Sequence, residues 1–312
     1  MKTIIFESKR LFFSLIILIL FQLSFMPFGQ KSPRSGQSTS LTATQLHYKW
    51  PLKKSILTST FGESRGDHFH DGIDLISNHK QIFPIDSGEL LYFWSKDRFP
   101  FAPYPGGGNY KIIKHSEDLC SIYMHLSDGL TDEKIYTKND LVGIMGHTGH
   151  SFGPHLHFSL LDFKNRTSFN PLLYLQDFKD ETPPIIYDLY LRINNSYIMI
   201  KPDSTIRLTK SYPLLVKIRD QIGKRKKMGI YGLKAIFNGE LVLDVNFKEI
   251  NYSEKGLTIA GKSFQSLFDE DGFYKLEQVE YRNGENRLKV EATDLTGLKT
   301  EKEFFFGVLL DL

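Results

Sequence analysis

The sequence predicts a mainly β protein of about two domains. The chain has 312 residues, of which 41% are hydrophobic and 24% are charged, so it can fill more than one packed core. Its 25 Phe and 15 Tyr favour strands. Short apolar segments are separated throughout by Gly, Pro, Asn and Asp, without a sustained helical period. These observations predict antiparallel sheets rather than helices.

Residues 1–30 are predicted to direct export and take no part in the fold. A short basic segment precedes an uncharged apolar run at residues 11–25. This run is shorter than the about 20 residues of a full membrane span, which favours a signal peptide. An uncleaved membrane anchor is the alternative, because Met26 and Phe28 extend the apolar stretch. Either interpretation predicts an exported protein of the periplasm or cell envelope. Residues 31–47 are rich in Ser, Thr and Gly and are predicted to be a linker.

The charge and the cysteine content exclude two classes of function. A formal net charge of +3 is too small for the concentrated basic surface that binds nucleic acid. A single cysteine forms neither an intrachain disulfide nor a cysteine-rich zinc site. The ten histidines are therefore the residues in which to look for chemistry.

Residues 48–180 are predicted to form an antiparallel β domain, and the run from Asp180 to Pro184 marks its end. We expect few contacts to cross that boundary. A short helix is predicted over residues 171–177. The predicted strands include residues 88–93, 110–114, 120–126 and 141–145.

Residues 185–312 are predicted to form a β-sandwich of the immunoglobulin-like kind. Alternating apolar residues flank Asn238-Gly239, and this pattern is the strongest short-range signal for a hairpin. A second alternating run follows at residues 288–293. This part of the sequence contains no group of metal-ligating residues, so the candidate chemistry lies in the first domain.

Two pairs of residues have the spacing of metal ligands. His155 and His157 are two apart, and on a strand such residues share one face. His70 and Asp74 are four apart, which again permits one face. Together with one histidine of the other pair, they make three ligands and leave a position for water, as catalytic zinc sites do. His68 is a competing ligand by position, although its neighbourhood favours a loop.

A third candidate is His125, in the segment Tyr123-Met124-His125. It lies at the end of the predicted strand 120–126, on the face that also carries Ser121 and Tyr123. A functional histidine is expected on such a polar face. The alternative is an ordinary surface histidine at the end of a strand.

Together these segments resemble the lysostaphin/LytM-type zinc metalloendopeptidases, which cut peptides of bacterial peptidoglycan. The family signature has a His-x-x-x-Asp, a Tyr-x-His and a Gly-Pro-His-Leu-His-Phe, in that order. Here these motifs are His70 to Asp74, Tyr123 to His125 and residues 153–158. The resemblance covers about residues 48–175 and identifies that part as a LytM-type metallopeptidase domain.

The resemblance implies a role for each histidine of the motifs. His70, Asp74 and His157 are implied as ligands of one zinc ion per chain. His125 and His155 are implied as catalytic histidines that do not bind the metal. The sequence contains no His-Glu-x-x-His segment, so a histidine must take the place of the usual glutamate base.

The implied function is that of an exported zinc endopeptidase that hydrolyses peptide cross-links of peptidoglycan with zinc-activated water. The alternative is a non-catalytic regulator of the same family that binds and activates cell-wall amidases. Residues 185–312 are then expected to position the enzyme, to contact the wall or to bind a protein partner of the cell envelope. A membrane is a partner only if the N-terminal segment is kept.

Overall fold

The computed structural model describes residues 47–194, 196–223, 225–254 and 256–311. The predicted signal peptide or anchor lies outside the described residues, as does the linker up to residue 46. Within the described ranges, no helix has the length and apolar character needed to cross a bilayer.

The described chain is almost entirely β, which confirms the mainly β prediction. A 3₁₀ turn at Pro171–Leu173 replaces the predicted helix over 171–177. This turn comes directly after strand β10. The strands before it are β1 Ile56–Ser59, β2 Ile73–Ile76, β3 Gln81–Ile82, β4 Gly88–Trp94, β5 Asn109–Lys114, β6 Cys120–Leu126, β7 Ile135–Tyr136, β8 Gly143–Ile144, β9 Leu156–Asp162 and β10 Thr167–Phe169.

Further strands form a second β region after residue 183. A one-turn helix, α1 (Phe264–Leu267), lies between two of them. The strands are β11 Ile185–Ile193, β12 Ser196–Met199, β13 Thr205–Leu208, β14 Leu214–Ile222, β15 Arg225–Met228, β16 Gly232–Phe237, β17 Glu240–Asn246, β18 Glu249–Ser253, β19 Gly256–Ile259, β20 Lys262–Ser263, β21 Tyr274–Leu276, β22 Gly284–Thr293 and β23 Lys299–Leu310.

The first of two compact units contains Ser77–His157 and the described residues up to Lys54. Its main sheet has the antiparallel order β7–β4–β5–β6, and β3 pairs with β8. Lys111 of β5 is fully buried, and its ammonium donates to the carbonyl of Val142 at 2.7 Å. Burial lowers the pKa of Lys111 to about 8. This buried donor ties β5 to the segment before β8.

The second unit contains Ser55–Ile76 and Phe158–Leu312. In it β1 pairs with β2, with an irregularity between Leu57 and Ser59. The antiparallel run β9–β10–β18–β19–β20 belongs to the same sheet, because β2 also pairs with β9. This unit therefore combines strands from both sides of the predicted domain boundary.

The expectation that few contacts cross the boundary at 180–184 is wrong at this sheet. Thr167 of β10 lies opposite Asn251 of β18, and the Ser168 and Tyr252 hydroxyls are 2.8 Å apart. The amide of Asn170 donates to the carbonyl of Phe247 at 3.0 Å. The domain bounds 48–180 and 185–312 therefore remain a prediction from the sequence.

Two further sheets lie after residue 183. One has the order β12–β11–β14–β15, with β21 also paired to β14, and the other has the order β13–β23–β22–β16–β17. Asn238 and Gly239 have positive φ values of 50° and 93° and close the β16–β17 hairpin, as predicted. The Thr300 hydroxyl of β23 donates to the carbonyl of Pro184 just before β11. A β domain therefore follows the histidine-bearing segment.

Candidate metal centre

His70 lies three residues before β2, Asp74 is the second residue of that strand, and both are buried, at 3% and 7% exposure. Nδ1–H of His70 donates to the carbonyl of Thr60 at 2.7 Å. A carbonyl only accepts, so this bond assigns the proton to Nδ1 and the lone pair of the neutral ring to Nε2. Nε2 lies 3.2 Å from Oδ1 of Asp74. The two groups thus present ligand atoms side by side.

His157 is the second residue of β9 and is 8% exposed. His70, Asp74 and His157 each offer a ligand atom, and these atoms lie within 4.8 Å of one another. Two imidazoles and one carboxylate are ordinary zinc ligands, and three protein ligands leave one tetrahedral position open. The donor set therefore fits a catalytic zinc ion.

His125 and His155 lie next to each other in the first unit, with ring centroids 4.6 Å apart. Nδ1–H of His125 donates to the carbonyl of Thr148, and Nδ1–H of His155 donates to the carbonyl of Gly153, each at 2.8 Å. When either ring is neutral, its Nε2 therefore carries the lone pair. The His125 ring is also 6.2 Å from that of His157, so the histidines of two motifs converge.

Glycines allow the loop before β5 to approach the loop that carries His155. The backbone N–H of His125 donates to the carbonyl of Gly107 at 2.8 Å. Gly149 has a φ of 74°, and a Cβ there would lie 2.3 Å from the nitrogen of Gly108. Only glycine tolerates both the close contact and this backbone conformation. These contacts fix the backbone on which His125 is held.

His68, the competing ligand by position, is not a member of the metal-ligating group. Its Nδ1 lies 2.6 Å from Oδ1 of Asp67, and its side chain is only partly buried. His147 and His150, on the loop before His155, are exposed. None of these three histidines joins the ligand set that the described residues provide.

Sequence reasoning missed Arg65, which contacts the proposed ligand Asp74. Nη2 of Arg65 donates to Oδ2 of Asp74 at 2.6 Å and to Oγ of Ser59 at 2.8 Å. Glu63 accepts from the hydroxyls of Ser59 and Thr60. Two opposite charges just before the His-x-x-x-Asp motif were the available signal, but spacing alone does not show what they touch.

A second group of acidic residues lies in the second unit and consists of Asp180, Asp220 and Asp294. Asp220 and Asp294 are almost fully buried. Each carboxylate accepts a backbone N–H, from Thr182, Gln221 and Leu298 respectively. Burial, together with the nearby carboxylates of Asp180 and Asp294, raises the pKa of Asp220 to about 7.

This raised pKa of Asp220 predicts a pH-dependent stability. Between the unfolded value of about 3.9 and the folded value, the folded chain holds a proton that the unfolded chain has released. The free energy of unfolding therefore falls as the pH rises through this range. We expect a lower urea midpoint at about pH 8 than at about pH 5, and a smaller difference in Asp220→Asn. An unchanged difference in the variant would show that Asp220 is not the responsible group.

The family model for peptidase family M23 matches residues 68–171, which include all five predicted site residues. The chain contains a peptidase family M23 domain. Peptidase family M23 is zinc-dependent, in agreement with the donor set above. A second family model matches residues 183–308. Arg65 and Glu63 precede the M23 match, so the family pattern does not include them.

The M23 domain is homologous to parts of an NlpD protein and of lysostaphin. The chain is 33% identical over 143 residues to the murein hydrolase activator NlpD of Salmonella dublin, covering 45% of this chain and 34% of that protein. It is 31% identical over 112 residues to lysostaphin of Staphylococcus staphylolyticus, covering 34% of this chain and 22% of lysostaphin. The chain thus spans about a third or less of the length of these relatives.

A zinc-containing peptidase from Vibrio cholerae is among the similar solved structures. It is 24% identical, with a TM-score of 0.32, and the alignment covers 38% of this chain and 37% of that one.

Proposed function

We propose that this protein is an exported zinc metalloendopeptidase that hydrolyses peptide cross-links of bacterial peptidoglycan. The observation that carries the proposal is the buried group of His70, Asp74 and His157, whose ligand atoms lie within 4.8 Å of one another. His125 and His155 accompany it, each with Nδ1 held by a backbone carbonyl.

In this proposal His70, Asp74 and His157 hold one zinc ion per chain. The backbone carbonyl of Thr60 orients His70 by accepting Nδ1–H, so that Nε2 is the ligand atom. Bound zinc would supply a nucleophile at neutral pH by lowering the pKa of its water to about 7. All three proposed ligands are buried, and burial strengthens their electrostatic interaction with a cation.

His155 is proposed as the general base and acid. Its Nδ1–H is directed to the carbonyl of Gly153, so the basic nitrogen is Nε2. Nε2 accepts a proton from the attacking water and returns it to the nitrogen of the leaving amine. The C–N bond of the peptide breaks as that amine leaves.

His125 is proposed to stabilise the oxyanion that develops on the scissile carbonyl. Nδ1–H is already directed to the carbonyl of Thr148, so Nε2 donates to an oxyanion only when the ring is protonated. An imidazolium is a charge-assisted donor and is stronger than a neutral one. Its contact with the carbonyl oxygen would be greatest in the transition state.

The second candidate function is a non-catalytic regulator that binds and activates cell-wall amidases. The similarity to a protein named murein hydrolase activator favours this function. The complete His-Asp-His group favours the peptidase, because an activator that works by binding alone does not need three metal ligands. Residues 185–312 are proposed to serve either function by contacting the wall or a protein partner of the cell envelope.

Digestion of purified peptidoglycan tests the two candidates with the full-length chain. We expect the zinc-loaded protein to release new amino termini, to lose this activity on chelation and to regain it with added zinc. Mass spectrometry of products from defined muropeptides, with glycyl bridges or direct cross-links, identifies the bond. A zinc-loaded chain that cleaves neither substrate but increases the turnover of an added amidase would replace the peptidase proposal with the regulator.

A further inference from the structure

The β domain after residue 183 contacts the loop that precedes the metal-ligating motif. The backbone N–H of Gly229, just after β15, donates to Oγ1 of Thr60 at 2.8 Å and lies 3.3 Å from Oε2 of Glu63. A Cβ at Gly229 would lie 2.9 Å from Oγ1 of Thr60 and 3.0 Å from Cβ of Glu63. The approach is therefore close enough to require glycine.

Thr60 connects this contact to the first ligand. Its carbonyl accepts Nδ1–H of His70 at 2.7 Å, and its hydroxyl donates to Oε2 of Glu63 at 3.0 Å. The hydroxyl oxygen accepts the N–H of Gly229. Gly229 thus holds the side chain of the residue whose backbone orients His70.

A second series of hydrogen bonds leads to the carboxylate of Asp74. Ser59 donates its hydroxyl proton to Oε1 of Glu63 and accepts from Nη2 of Arg65 at 2.8 Å. The same Nη2 donates to Oδ2 of Asp74 at 2.6 Å. Because Oδ1 faces His70, this bond sets the rotation of the carboxylate. Hydrogen bonds between ionised groups are stronger than those between neutral groups. A shift of the Arg65 guanidinium would therefore also shift the carboxylate of Asp74.

We propose that the backbone of the second β domain at Gly229 is a positioning element for the zinc ligands His70 and Asp74, acting through Thr60 and Glu63. The proposal rests on the proposed zinc function and gives the β domain a role in metal affinity. Groups that hydrogen-bond to ligands typically change metal affinity by about 10- to 100-fold. Gly229 contacts Thr60 and not a ligand itself, so we expect its effect on zinc affinity to be about tenfold.

The test uses full-length wild type, Gly229→Ala, Thr60→Val and the control Gly232→Ala. Neither glycine has a left-handed φ, and a Cβ at Gly232 would lie at an ordinary 3.5 Å from Cβ of Thr293. Zinc affinity is measured by competition with a chromogenic chelator, and ligand geometry by the visible spectrum of the cobalt-loaded protein. We expect about tenfold weaker zinc binding and an altered cobalt spectrum in Gly229→Ala and Thr60→Val, and neither change in Gly232→Ala.

Thr60→Val keeps the volume of the side chain and replaces only the hydroxyl. This variant therefore tests the positioning role of the Thr60 contact even if Gly229→Ala does not fold. Wild-type zinc affinity and a wild-type cobalt spectrum in Thr60→Val would overturn the proposal, even with a lower melting temperature. A wild-type chain that binds neither metal would instead refute the proposed zinc function. The two failures are therefore distinguishable.

Discussion

His70→Ala, Asp74→Ala and His157→Ala will each abolish stoichiometric zinc binding. Each variant leaves two of the three groups whose ligand atoms lie within 4.8 Å, and catalytic zinc sites use three protein ligands. Metal analysis of the purified full-length variants after gel filtration measures the effect. Circular dichroism of each variant shows whether the β fold is kept.

The control for the ligand assignment is His68→Ala. His68 belongs to the same sequence segment but pairs with Asp67, so this variant should bind one zinc ion per chain. Full zinc occupancy in any of the three ligand variants would disprove the assignment of that ligand. Loss of zinc in His68→Ala would show that His68 takes part in the site.

His155→Ala and His125→Ala will keep zinc and lose about two to four powers of ten in turnover. The His125 ring lies 4.6 Å from that of His155 and 6.2 Å from that of His157, and neither His125 nor His155 is one of the three members of the group. Removing the base slows the proton transfers, and removing the donor leaves the oxyanion without its charge-assisted bond. The measurement is kcat on a soluble muropeptide, together with zinc content for each variant.

A matched control for the catalytic histidines is His150→Ala. His150 is exposed on the same loop as His155, and its backbone N–H donates to the carbonyl of Gly106, a bond that alanine retains. We expect near wild-type turnover in this variant. Near wild-type turnover in His155→Ala or His125→Ala would remove that residue from the mechanism.

The group formed by His70, Asp74 and His157 could be predicted from sequence because its spacing is short and its residue types are specific. His70 and Asp74 lie within one motif, and the structure places their ligand atoms near that of His157. The carbonyls of Thr60 and Thr148, which fix the tautomers of two histidines, could not be predicted in this way. Every residue has a carbonyl, so the sequence carries no signal for which one is used.

Alternation along β6 was less informative than the motifs. It predicts a polar face with Ser121, Tyr123 and His125, yet all three are buried. Buried polar groups are tolerated because they are paired: the Ser121 hydroxyl donates to that of Tyr123, which also accepts the N–H of Ile85. A pattern of polar and apolar residues therefore does not distinguish an exposed face from a hydrogen-bonded interior.

The contact between Thr60 and Gly229 spans 169 positions of the chain, and the contact between Ser168 and Tyr252 spans 84. Contacts between such distant residues form slowly, because a long loop must close before they can contribute. During synthesis the segment that carries Thr60 and His70 leaves the ribosome well before the segment that carries Gly229. A chain that stops before Gly229 lacks the donor for Thr60, so the loop that carries His70 gains this neighbour only after residue 229 has been made.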